Sequence, residues 1–255
     1  MTRSLAWRPT PADHPARSSP QVEALSPKLG ASSAVPDAVD ISAGVEILDQ
    51  GNTNTCAAQA VAQAIRLAAG LGSPLPSRRY LYRCAVGYAH WHRGELVEDA
   101  GTMFGDVLSG AWLAGLVPES AWPWDEAHPL ADMPPGVLRA GADHEWAPEG
   151  GYAPLLDSQA VRRALAAGHP VVFGLLVDEA FLETDGPALV STLGEPIGGH
   201  AMVAVGYSRE GLIVANSYGR NWRAGGFATI AWDIIDGNRA VDFWAIDAAP
   251  PGWMT

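Results

Sequence analysis

The stretch Gly198-Gly-His200-Ala-Met-Val-Ala-Val-Gly-Tyr207-Ser-Arg-Glu-Gly211-Leu-Ile-Val-Ala-Asn216-Ser-Tyr-Gly219-Arg-Asn-Trp222, followed by Gly225-Gly-Phe-Ala-Thr-Ile230, decides how this chain is read. Its runs 201–207 and 212–215 are apolar and rich in Val, and the polar, glycine-ended turn 208–211 separates them, which is the pattern of two paired strands. If those strands are antiparallel, His200 entering the first and Asn216 leaving the second lie at the same end of the hairpin. An imidazole and an amide 16 positions apart then meet side by side, the arrangement of a catalytic base and the group that orients it.

A base of this kind needs a nucleophile, and Cys56 is the candidate. It follows the polar loop Asp49-Gln50-Gly51-Asn52-Thr-Asn-Thr55 and opens a run in which Ala58, Val61, Ile65 and Ala68 recur at helical spacing before Gly70. Cys56 therefore falls in the first turn of a predicted helix. A thiol at a helix N-terminus and facing an imidazole is expected to have a depressed pKa and to be partly or wholly thiolate near neutral pH.

Together these residues resemble the papain-like cysteine peptidases. Val39-Asp40-Ile41 is similar to the mature start of such enzymes, and Gln50 six residues before Cys56 resembles their oxyanion glutamine and nucleophile. Asn216-Ser-Tyr-Gly219-x-x-Trp222 resembles the family's Asn-Ser-Trp-Gly-x-x-Trp. Asp99-Ala-Gly101-Thr102 resembles the substrate loop, and Gly115-Leu-Val-Pro-Glu119 with Trp122-Pro-Trp124 the stretch that follows it. His200 lies 144 residues after Cys56, inside the roughly 130 to 150 typical of the family, and Asn216 slightly beyond it at 160. The chain departs from the family at Thr53-Asn-Thr-Cys56-Ala57, which lacks the usual upstream cysteine and the following tryptophan.

The resemblance implies an α+β, two-lobe fold with the active site in the cleft between a helical and an antiparallel β-rich lobe. It implies Cys56, His200, Asn216 and Gln50 as catalytic residues, and Gly101 and Gly199 as substrate-binding residues. Trp222 would cover the bond between His200 and Asn216. Peptide or protein is the implied substrate, hydrolysed through a thioester, with no cofactor and no metal. Acyl transfer to an amine by a ligase or cyclase, and a catalytically silent peptide-binding protein, are the competing readings; the intact set of Cys, His, Asn and Gln speaks against the silent one.

Residues 1–37 hold six prolines with Ser and Ala between them and no apolar periodicity, so they read as a flexible tail. Any inhibition by that tail is expected to be weak and reversible, through an extended strand lying in the groove. The peptidase domain is expected over 38–255, mainly helical over 38–150 and mainly β over 151–255. Helices are predicted over 77–88 and over 102–114, the latter with Trp112 inward, and 118–151 reads as a connection between lobes.

The remaining features mostly exclude. Net charge is −12, which disfavours nucleic acid and anionic membranes as partners. No run approaches the about 20 apolar residues that span a bilayer, and the first ten residues lack the apolar core of a secretory signal. With two cysteines, Cys56 and Cys84, there is no disulfide framework, and a cytoplasmic location follows as the expectation. His90-Trp-His92 could hint at a metal pair, but alternate positions on a helix point apart. Gly206-Tyr-Ser208-Arg-Glu-Gly211 misses the spacing of a serine-hydrolase elbow by one residue.

Overall fold

The computed structural model describes residues 3–30, 35–144, 146 and 151–248. An irregular N-terminal segment leads into a 3-10 turn, Pro15–Ser18, and then α1, Pro20–Gly30. After β1 (Val39–Asp40) come four helices: α2 (Cys56–Ala68), α3 (Arg78–Arg93), α4 (Phe104–Ala114) and α5 (Pro135–Ala142). The rest of the chain is β2 (Gly151–Leu155), α6 (Ser158–Ala166), β3 (Val171–Val177), α7 (Glu179–Leu182), β4 (Leu189–Val190), β5 (Gly198–Tyr207), β6 (Gly211–Ala215), β7 (Phe227–Ala231), α8 (Trp232–Ile235) and β8 (Ala240–Asp247).

The strands form one mixed sheet in the order β2-β8-β3-β5-β6-β7-β4, with β1 also paired to β5. Every pairing is antiparallel except β4 with β7. β3 is a nearly unbroken apolar run because it is central, hydrogen-bonded to β5 on one side and β8 on the other and buried on both faces. The hairpin of β5 and β6 pairs Tyr207 with Leu212 near its turn and Val203 with Ala215 at the other end, which puts His200 and Asn216 together.

Helix α2 is buried all round over residues 56–65, so its apolar residues are not confined to one stripe. Its many alanines are what allow α3 and the sheet to approach it closely; Ala58, Ala62 and Ala64 are fully buried. Helix α3 starts where the sequence predicts, with Ser77 Oγ accepting from the Tyr80 N–H at 3.1 Å, but runs five residues further and stops at Gly94, whose φ of 71° is the left-handed cap that glycine adopts readily. Trp112, expected inward on α4, is 40% exposed; Phe104, Val107, Leu108 and Ala111 make the buried face. The expected connection over 118–151 contains α5, a short helix whose Gly136 and Gly141 dilute its periodicity.

The largest departure from the sequence reading is at the N-terminus. The flexible tail expected over 1–37 does not describe residues 3–30, although 31–34 lie outside the described residues. Leu25 and Leu29 of α1 join the core beneath the sheet, and Trp7 is buried at 3% exposure. Pro15 and Pro20 open the two helical turns, where proline's fixed φ suits a first-turn position. Polar anchors do the rest. The buried Asp242 carboxylate accepts from the Thr10 N–H (2.8 Å), the Thr10 hydroxyl (2.7 Å), Arg17 Nη2 (2.7 Å) and Trp244 Nε1 (2.8 Å). Asp106 takes His14 Nε2 at 3.1 Å together with two bonds from Arg93, while His14 Nδ1 accepts from the Ala16 N–H. A segment without its own core is ordered by sites that the rest of the chain provides.

Candidate active site

Cys56 is the first residue of α2, His200 is the third of β5, and Asn216 follows the last residue of β6. All three are buried, as is Gln50. His200 Nε2 lies 2.7 Å from Asn216 Oδ1, and the same oxygen accepts from the Ser217 N–H at 2.8 Å. The backbone donor settles which end of the amide faces the ring, so Nε2 must carry the proton. Nδ1 is left as the basic nitrogen, and the Tyr218 hydroxyl stands 3.2 Å from it.

Gln50 is held by two bonds that fix its amide. Ser217 Oγ donates to Gln50 Oε1 at 2.7 Å, and Gln50 Nε2 donates to the Thr53 carbonyl at 2.8 Å. One N–H of the Gln50 amide therefore remains for another acceptor. The loop before α2 is tied down as well, because Asn54 Nδ2 donates to the Asp99 carbonyl and the Tyr82 hydroxyl donates to Asp99 Oδ1 at 2.5 Å.

The rings in contact with the imidazole are those of Tyr218, stacked at 4.4 Å, and Phe181 at 6.3 Å. Trp222 packs behind both, with Nε1 donating to the Phe181 carbonyl at 3.1 Å. Ser217 and Tyr218 had no assigned role in the sequence reading. Their signal was there: both sit inside the motif Asn216-Ser-Tyr-Gly219, with Tyr218 in place of the family's tryptophan.

The N-terminal segment lies across this constellation. Arg3 donates to Asp49, to the Gly51 carbonyl and to the Tyr218 carbonyl, and its guanidinium covers the Tyr218 ring at 4.8 Å. The Trp7 N–H donates to the Gly199 carbonyl at 3.2 Å, and the Arg8 N–H points to the Thr102 carbonyl at 3.5 Å. Arg8 also pairs with Glu95 at 2.8 Å. Gly101 provides room here: its φ is 80°, a Cβ on it would strike the Ala6 carbonyl, and its own N–H is turned to the Tyr82 hydroxyl at 3.3 Å.

Occlusion reverses the ionisation read from the sequence. Burial pushes the Cys56 thiol up to about 11, although backbone groups of Ala201, Ala57, Ala6 and Cys56 itself work against it. Burial likewise depresses His200 to about 4, with the Asn216 bond opposing and the Arg3 charge assisting. Both shifts favour the neutral thiol and the neutral imidazole. Burial thus opposes the thiolate that the helix N-terminus favours, with the Ala6 backbone of the N-terminal segment against the sulfur.

No other cluster competes for the role. Among the described residues, no group of three or more His, Cys, Asp or Glu is arranged to hold a metal. His90 Nδ1 is 2.8 Å from the Glu95 carbonyl and His92 stacks on Tyr88, so the two point to different partners.

Comparison with solved structures places this fold. Xylellain, a cysteine protease from Xylella fastidiosa, superposes with a TM-score of 0.79 at 23% identity over 96% of each chain. The fold is that of the papain-like cysteine proteases. Digestive procathepsin L 3 of the Tenebrio molitor larval midgut matches this papain-like chain with a TM-score of 0.66 at 18% identity, over 85% of this chain and 71% of that one. In sequence, an uncharacterised peptidase C1-like protein of Acanthamoeba polyphaga mimivirus is 28% identical over 220 residues, 78% of this chain and 68% of its own length. No family model matches the chain.

Proposed function

We propose that the chain is a cysteine peptidase that hydrolyses peptide bonds through a Cys-His-Asn mechanism and is kept latent by its own N-terminal segment. The observation that carries the reading is the pairing of His200 Nε2 with an Asn216 amide whose orientation is fixed by the Ser217 N–H. That pairing leaves Nδ1 as the basic nitrogen, which the Tyr218 hydroxyl now faces and which takes a proton once that contact gives way. Cys56 and His200 come from opposite sides of the cleft, on α2 and β5.

With the segment displaced, water re-enters and the Cys56 thiol passes its proton to His200 Nδ1. The thiolate attacks the peptide carbonyl carbon, and the oxyanion is received by the Cys56 N–H and the unclaimed N–H of Gln50. His200 gives its proton to the departing amine as the C–N bond breaks. Water, deprotonated by the same imidazole, then cleaves the thioester and frees the carboxylate. Gly199 and Gly101 are the backbone walls against which an extended peptide lies, and Trp222 supports the rings that cover His200.

We infer peptide or protein as the partner and, from two free cysteines, a reducing compartment such as the cytoplasm. No helix among the described residues is long and apolar enough to cross a membrane. The net charge of −12 favours neither nucleic acid nor an anionic surface. The test is hydrolysis of fluorogenic peptides by the full chain and by its Trp7→Ala variant. Release of the segment should raise kcat/KM by about 100-fold, the scale of burying one large side chain, and Cys56→Ala should remove the signal. Absence of hydrolysis with every peptide, while Cys56 of the Trp7→Ala chain is readily alkylated, would overturn the reading.

A further inference from the structure

Between β3 and β5 the chain runs through residues 178–197, the loop that brings Phe181 against the His200 imidazole. Its regular structure is slight, α7 and the two residues of β4, and Gly186, Pro187, Gly194 and Pro196 interrupt the remainder. Such a loop has to be held from outside. The holder is Arg223, the residue after Trp222. Its Nη1 donates to the Pro187 carbonyl at 2.6 Å, its Nη2 to the Ala180 and Phe181 carbonyls at 3.0 and 3.4 Å, and its backbone N–H to the Thr184 carbonyl at 2.6 Å. The guanidinium also lies over the Phe181 and Trp222 rings, at 5.4 and 5.1 Å.

The backbone at this residue is strained. Among the described residues, Arg223 and Asp242 are the non-glycine residues in the left-handed region, with φ of 44° and 61°. Asp242 holds the N-terminal segment, and a short polar side chain tolerates that conformation. Arginine has no such excuse, and glycine would make the same turn without cost. A strained residue persists where its surroundings hold it, here through the bonds its side chain makes. The loop makes room in return: a Cβ on Gly186 would come within 2.5 Å of Arg223 Nη1, although Gly186 itself has no left-handed φ to require glycine.

The pattern of acceptors shows what the side chain does. No carboxylate is among its hydrogen-bond partners; Asp178 and Glu183 attract it from a distance, and Asp178 is engaged by the Phe181 N–H at 2.9 Å and the Gly194 N–H at 2.5 Å. Carbonyl acceptors fix the path of a backbone. The path fixed here includes Phe181, whose carbonyl takes both Arg223 Nη2 and Trp222 Nε1 and whose ring stands 6.3 Å from the imidazole.

We propose that Arg223 is a positioning residue of the catalytic centre: its guanidinium fastens the 178–197 loop so that the Phe181 ring stays against His200, covering the base and fixing its orientation. The geometric part stands without the peptidase reading; its kinetic consequence rests on that reading.

The test replaces Arg223 in the full chain in two ways. Arg223→Gly removes the guanidinium and relieves the φ, so the backbone gains where the side chain is lost, while Arg223→Lys keeps the charge without the fork. The first readout is the titration of His200 by NMR of the histidine-labelled chain, with His200→Gln to assign the signal. In the parent chain burial holds His200 near 4, and the titratable or charged groups facing it are Cys56 from α2, Tyr218 from the loop after β6 and Arg3 from the N-terminal segment, none of them altered. Arg223→Gly should raise the value by at least about one pH unit, a tenfold gain in proton affinity, as water reaches the ring. Arg223→Lys should give a smaller rise, and Phe181→Leu a rise that falls short of adding to that of Arg223→Gly, because both act through one contact. An unmoved titration with only a lowered Tm, or two shifts that add in full, would overturn the proposal. If the glycine chain does not fold, Arg223→Lys decides by the same shift or its absence.

The second readout is peptide hydrolysis in the Trp7→Ala background. Arg223→Gly should lower kcat by about tenfold and change KM by less than about twofold, the mark of lost orientation and not of lost binding, with Arg223→Lys restoring part of the rate. A rise in KM alone would overturn the positioning role. A His200 titration that moves as expected in a chain that cuts no peptide overturns the peptidase reading and leaves the role of Arg223 standing.

Discussion

The N-terminal segment and the catalytic hairpin meet at the same site, yet one is buried only at single anchor residues and the other along its whole length, and their sequences could hardly differ more. In the hairpin, β5 is nine buried residues after one intermediate at its mouth and β6 has four buried of five, with period and composition that name it as paired strands. Residues 3–18 have scattered prolines, single apolar residues and isolated charges. The hairpin carries its own reason to fold. The segment borrows one: its side chains each meet a partner from a different element, Arg3 with Asp49, Trp7 with Gly174, His14 with Asp106 and Arg17 with Asp242. Periodicity reports the first kind of order and is blind to the second, which is imposed by a template.

Substitutions on the two sides should therefore act in opposite directions. The largest effects belong to the hairpin side. Cys56→Ala and His200→Ala should each lower kcat by about 10⁴-fold or more, since residues that act as a unit fail together; peptide hydrolysis by the Trp7→Ala background is the measurement. Gln50→Ala in the same background should lower kcat by about 100-fold, the usual cost of one oxyanion donor. Full activity in that variant would remove Gln50 from the site.

On the segment side the sign changes. Asp242→Ala removes the carboxylate that gathers Thr10, Arg17 and Trp244, and should raise the activity of the otherwise unaltered chain by about 10- to 100-fold, the worth of one or two charge-assisted hydrogen bonds. A fall in activity would show that Asp242 serves the cleft and not the segment.

Smaller still is the effect of pH on the balance between closed and open states. In the closed state His200 titrates near 4 against 6.5 in water, so below 6.5 the open state takes the proton first and closure weakens by up to about tenfold per pH unit. Cys56 titrates near 11 against 9.0, so the closed state holds that proton longer and closure weakens again above 9. Glu95 and Asp106, which also hold the segment, are kept low by Arg8 with Arg93 and by His14 with Arg93 despite burial, and stay charged through this window. Closure is thus strongest between about pH 6.5 and 9, readable as protection of the segment from an added protease.

Much of the site was legible because its chemistry is local. His200 and Asn216 are brought together by one hairpin, and Cys56 opens the helix that the spacing predicts, so these two placements could be read from spacing and composition. Ser217 clamping Gln50 was hidden, since the two are 167 positions apart and the bond depends on how the loop after β6 meets the loop before α2. The raised thiol pKa was out of view for a related reason: the helix N-terminus is visible in the sequence, but the burial of the sulfur is not. Trp112 was misplaced because α4 has apolar residues on more than one face, and only packing against α3 decides which face turns inward.

The most direct measurement is the rate at which iodoacetamide alkylates Cys56, followed from pH 5 to pH 10 in the full chain and in its Trp7→Ala variant, with the label located by mass spectrometry. A covered, neutral pair gives slow alkylation of the full chain near neutral pH, least between about pH 6.5 and 9, while the uncovered thiol of the variant reacts at least about tenfold faster at pH 7. Equal rates with the same pH profile in the two chains would contradict it, because residues 3–8 would then neither cover the nucleophile nor set its protonation.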